Sequence, residues 1–212
     1  MTILLLSSGV ILPNRIVFLS ALFLAVMIVL VARMGIAELY SLRPNGPMDE
    51  RPAASIPNLG DASKSVDIAL RLDPLNPNDR LERARIDYRM AAGSGKDKHA
   101  LFDDALYQAR RSIRLRPTSP YSWSTLLRIK ADMGEVDGEF MTALDSAVML
   151  GPWEEETQRM VAEAGLDVWS KLSMHGKMAV LEDIKRGMRR QAPEMIRIAL
   201  DEKCRIRGHD CR

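Results

Sequence analysis

Three stretches of the chain end alike. Ala69-Leu70-Arg71-Leu72-Asp73-Pro74 returns as Ser112-Ile113-Arg114-Leu115-Arg116-Pro117 and again as Ala147-Val148-Met149-Leu150-Gly151-Pro152. Each copy places a small residue five before a proline and a leucine two before it. A proline stops a helix from continuing, because its ring removes an N–H donor and clashes with the preceding turn. The prolines are 43 and 35 residues apart, near the period of about 34 expected of helix-turn-helix repeats. Such units cannot bury their apolar sides alone and must stack on one another.

Composition supports an all-α reading. The 212 residues include only 13 glycines and few aromatics, and good helix formers dominate after Asp61. A net charge of +2 is too small to imply a nucleic-acid partner, although the end from Ile184 onward is rich in arginine and lysine.

Ile16 to Ala32 is an uncharged run of 17 residues between Arg15 and Arg33. Twelve of them are Leu, Ile, Val or Phe, worth roughly −4 to −7 kcal/mol on a membrane-insertion scale. The run is long enough to span a bilayer, and a transmembrane anchor is expected over about residues 16–37 of an apolar region 1–41. A cleaved signal is the rival, with Gly35-Ile36-Ala37 as its small-residue site, but the apolar run exceeds the usual signal core. Positive charges favour a cytoplasmic C-terminal domain, since Arg33, Arg43 and Arg51 outweigh Arg15. Residues 1–12 are apolar but too short to cross.

Prolines 44, 47, 52 and 57 forbid a continuing helix, so residues 42–60 are expected to be an extended spacer, or else an ordered loop packed on the domain. Residues 61–192 then carry helical periodicity, capped by Asp61, by Asn78-Asp79 and by Thr118 or Ser119 ahead of Pro120. Gly134 is expected to stop one helix, and two further helices are expected over about 153–172 and 176–190. Gly93-Ser94-Gly95-Lys96 reads as a turn that absorbs the longer first interval. It lacks both the preceding strand and the spacing of a phosphate loop. Residues 193–212 form a short helix from Pro193 and a basic tail.

The repeated segment resembles the tetratricopeptide repeat. Trp123 and Leu126 lie six and nine after Pro117, Gly134 marks the turn within the pair, and Leu144 and Ala147 precede Pro152 by eight and five. That resemblance implies a right-handed α-α superhelix with a binding groove. It departs from the family's pattern in lacking a glycine beside Leu126. The N-terminal anchor, the run Arg116 to Trp123, Leu150-Gly151-Pro152-Trp153-Glu154 and Trp169 together resemble the VpsP-type family of bacterial exopolysaccharide-biosynthesis accessory proteins. This implies a single-pass inner-membrane protein whose repeats face the periplasm and bind proteins of a polysaccharide synthesis or export machine. It does so against the charge count.

Candidate site residues are few. Trp123, Trp153 and Trp169 could form a sugar-stacking platform or simply pack in the core, Trp123 standing at a packing position of the repeat. Arg189 and Arg190, on the basic C-terminal face, could meet an acidic polymer or anionic headgroups, or remain a solvated face. Cys204 and Cys211 could close a disulfide in an oxidising compartment or stay free. His99 and His175 show no evident carboxylate partner. The sequence offers no nucleophile elbow, nucleotide loop or zinc-protease helix, so no catalytic residue, metal or cofactor is expected. An accessory, non-enzymatic role follows, with direct carbohydrate binding as the alternative.

Overall fold

The computed structural model describes residues 14–41, 59–93 and 97–207. Among these it is all-α. The helices are α1 (Asn14–Ser41), α2 (Leu59–Leu72), α3 (Pro77–Gly93), α4 (Lys98–Leu115), α5 (Pro120–Met133), α6 (Gly138–Leu150), α7 (Glu155–Asp167), α8 (Met174–Gly187) and α9 (Ala192–Arg207). Residues 1–13, the spacer over 42–58, the turn at 94–96, Cys211 and the side chain of Cys204 lie outside the described residues.

Helix α1 carries the apolar run, and Val17–Leu39 is long and apolar enough to cross a membrane, with a mean hydropathy of 2.6. A signal sequence near an N-terminus meets the same criterion. Every described side chain from Val17 to Ile36 is exposed, and Ala37 is the first to be covered. Helix α2 is the element that packs against α1 there. The remaining helices pack in sequential pairs, α3 with α4, α5 with α6 and α7 with α8. In addition α3, α5, α7 and α9 touch one another in succession.

The three proline turns are built alike. The N–H of the residue before each proline donates to the carbonyl of the small residue four back: Asp73 to Ala69 at 2.8 Å, Arg116 to Ser112 at 2.9 Å, Gly151 to Ala147 at 2.9 Å. Three residues on, Asn76, Ser119 and Glu154 donate to the same three residues' carbonyls. The small residues are buried completely or nearly so, which lets the next helix approach. Six residues after each proline a side chain returns a hydrogen bond to the proline carbonyl: Arg80 to Pro74 at 3.1 Å, Trp123 to Pro117 at 2.8 Å and Gln158 to Pro152 at 2.8 Å. These bonds satisfy the proline carbonyls, which lie two residues beyond the helix ends.

One core runs through the pairs, from Ala84 and Phe102 past Leu126, Leu127 and Phe140 to Val161 and Val180. Gly165 is essential to it, because a Cβ there would collide with the methyls of Val180. Helix α9 adds a smaller cluster of Met195 and Ile198 against Ala162.

Several boundaries differ from the sequence reading. Helix α2 begins at Leu59, two residues before Asp61, so Asp61 favours the helix dipole from within the first turn. Helix α7 stops at Asp167, and a short 3-10 turn over Trp169–Lys171 follows it. Helix α8 ends at Gly187 and not at Arg190, while α9 is 16 residues long and starts one residue before Pro193. Ser119 does precede α5 with Pro120 at its first position, and Gly134 takes the left-handed conformation at φ 73°.

Candidate interaction surface

The helices that touch in succession present a row of paired charges. Arg85 of α3 reaches Glu156 of α7 at 2.6 Å. Arg128 of α5 bonds Asp132 and Asp167 at 2.7 Å each and donates to the Tyr88 hydroxyl, which in turn donates to Asp132 at 2.6 Å. Burial alone would lower the Arg128 pKa, but Tyr88, Asp132 and Asp167 raise it well above its ordinary value. Burial raises the Tyr88 phenol, so it stays a neutral donor. A cavity of about 190 Å³ opens beside this network, bounded by Arg128, Glu163, Asp167 and, from α9, Arg197 and Asp201. Charged side chains already held by partners are pre-organised, and such a surface discriminates polar ligands more than it binds them strongly.

A second hollow lies on the other side of α5. It measures about 490 Å³ and is lined by Ile113, Leu126 and Trp123 with Arg110, Arg114 and Glu139 at its rim. Arg110 grips Glu139 bidentately, at 2.7 Å for both bonds. That hydrogen bonding holds the Glu139 carboxyl below its usual range.

The two tryptophans singled out from the sequence are not brought together. Trp153 sits in the α6–α7 turn, 58% exposed, with its carbonyl accepting from Arg190 at 3.4 Å. Trp169 lies beyond the other end of the 13-residue α7, about 20 Å away by helix rise. It is half-buried against the core with the Lys177 ammonium 5.5 Å from its ring centroid. A shared stacking platform is therefore excluded. Arg189 and Arg190 are both exposed at the end of α8, and Arg190 stands 4.0 Å from Glu155. Trp123 packs on the core as expected.

His175 does have a carboxylate partner, Asp145 at 2.9 Å, correcting the sequence reading. Lys130 is a structural residue that the sequence analysis does not single out. It is 1% exposed and bonded to Glu135, Asp137 and Glu139 at 2.9–3.1 Å, fastening the α5–α6 turn. Burial would lower its pKa, yet the three carboxylates raise it. The signal was three acids five, seven and nine residues after a lysine at a helix end. In the sequence Asp79 reads only as a cap. It is 1% exposed and neither carboxylate oxygen has a hydrogen-bond partner. Burial, followed by the charges of Glu38, Asp73 and Glu82, pushes it up to about 6.

The class these features define is an all-α chain of sequentially packed helix pairs behind one apolar N-terminal helix. Comparison with protein-family models, with curated proteins and with solved structures finds no match to it.

Proposed function

We propose that this chain is a non-enzymatic, membrane-anchored scaffold whose tetratricopeptide-like repeats form a right-handed superhelix and bind partner proteins. The three identically bonded proline turns carry this reading, since regular turns between helix pairs are what a stack needs in order to propagate. The paired charges along α3, α5 and α7 are the docking face, fitted to a partner segment that supplies its own hydrogen-bonding groups. On the VpsP-type resemblance, the setting is bacterial exopolysaccharide biosynthesis or export. The anchor crosses the inner membrane once and the repeats stand in the periplasm.

Detergent co-purification of the full chain tests this. A stoichiometric protein partner retained by the native chain and lost on Arg128→Glu supports the scaffold. Direct carbohydrate binding is the second reading, favoured by the exposure of Trp153 beside Arg190. Polysaccharide retained without any protein partner, and lost on Trp153→Ala, would replace the first reading with the second.

A further inference from the structure

The proline turns share more than a hydrogen-bonding pattern. The α2–α3, α4–α5, α6–α7 and α8–α9 turns lie along one edge, each within side-chain hydrogen-bonding reach of the next. Side chains join these turns in series. Arg116 donates to Asn78 at 3.2 Å, the Tyr121 hydroxyl to Glu154 at 2.5 Å, and Gln191 to the Glu155 carbonyl at 3.0 Å.

The first of these turns is tied to α1. Arg33 is the first charge after the apolar run, and its guanidinium donates to the Arg71 and Leu72 carbonyls at 3.3 and 3.0 Å. Helical side chains lean toward the N-terminus, so this contact lies level with the last residues of the run. Helix α2 cannot extend along the run, since the side chains there are exposed, and its body therefore leads away from it. The turn after Leu72 is left where the lipid headgroups begin.

The edge that starts there carries both cations and exposed apolar groups. Arg71, Arg114, Arg116, Arg189 and Arg190 are exposed along it. Of its acids, Asp73 accepts the Leu75 N–H, Glu154 holds Tyr121 and Glu155 lies 4.0 Å from Arg190, which leaves the five arginines in excess of these three carboxylates. Leu75 is 62% exposed and Trp153 58%, on turns otherwise closed by hydrogen bonds. Among the described residues the opposite edge, with Asp97, Glu135 and Asp137 against Lys98 and Lys171, has no such excess of cations, although Met174 is 75% exposed there.

We infer that the proline-turn edge rests on the bilayer that α1 crosses, with its arginines on anionic lipid headgroups and Leu75 and Trp153 entering the interface. Tryptophan favours that depth, and clustered arginine favours anionic lipid in a salt-sensitive way. The inference rests on α1 remaining as an uncleaved span, but not on any partner or polysaccharide.

The full chain is reconstituted in phosphatidylcholine vesicles with or without roughly 30% phosphatidylglycerol. Co-flotation with the vesicles first reports whether α1 is inserted; failure there removes the anchor itself. Two single-tryptophan proteins, one keeping Trp153 and one keeping Trp169, are then quenched by a headgroup nitroxide lipid. Trp153 should be quenched at least about twofold more than Trp169 in the anionic vesicles. The difference should shrink in high salt and in Arg189→Glu/Arg190→Glu. Equal quenching of the two tryptophans, or quenching indifferent to lipid charge, would overturn the inference.

Discussion

The two edges of the helix stack solve the same problem differently. The three proline turns between pairs are uniform: each has the same two backbone hydrogen bonds and a side-chain donor six residues after the proline. Turns within pairs are individual. That between α5 and α6 relies on left-handed Gly134 and the Lys130 cluster. The one between α7 and α8 relies on a 3-10 turn, from which Lys171 donates to the Gly134 carbonyl at 2.9 Å. The uniform edge sets how one pair sits on the next, and an error there would propagate along the stack. The other edge closes a pair on itself and tolerates variation, which is why the extra length of the 43-residue interval falls within a pair.

Perturbing the uniform edge should cost most. A Cβ at Gly151 would meet Pro120 at 2.7 Å and Thr157 at 2.9 Å, although Asp73 and Arg116 occupy the equivalent position. Gly151→Val should destabilise by about 3 kcal/mol in urea unfolding of the detergent-solubilised chain. At the individual edge, Lys130→Met should cost about 2 kcal/mol. Its three carboxylates are partly exposed, so water offsets much of the loss.

The third prediction has the opposite sign. Asp79 lies five residues after Pro74, where the other copies have Ser122 and Thr157. Ser122 bonds Ser112 at 2.9 Å, but the first copy has Ala69 in the place of Ser112 and offers Asp79 no such partner. With its folded pKa at about 6 and its ordinary value at 3.8, Asp79 binds its proton more tightly when folded. Its penalty is therefore full above pH 6 and vanishes as pH falls through 4. Asp79→Ser should stabilise the chain by about 2 kcal/mol at pH 7.5 and by almost nothing near pH 4, read from pH-dependent melts. The smallest effects belong to the donors six after each proline. Arg80→Met, Trp123→Phe and Gln158→Leu should each cost about 1 kcal/mol or less for the lost hydrogen bond.

Most helices and all three proline turns were legible in the sequence, because a small residue, a leucine and a proline at fixed spacing leave few alternatives. The donors after the prolines were not, since arginine, tryptophan and glutamine share no obvious property until one carbonyl accepts from all three. Nor could the charged row be read from spacing, when Arg85 and Glu156 are 71 positions apart. The hold of Arg33 on the end of α2 bridges the whole spacer and left no local trace. The end of α8 was misjudged because Met188-Arg189-Arg190 continues a helical composition, whereas the backbone tightens into turns after Gly187.

The most direct test is the distance between spin labels on the first and last turns of the uniform edge, at Leu75 and Arg189. Successive pairs in an open row advance by about 10 Å, so three steps place these labels about 30 Å apart. A distance near 10 Å, as in a closed bundle whose first and last helices pack side by side, would contradict the stacked architecture.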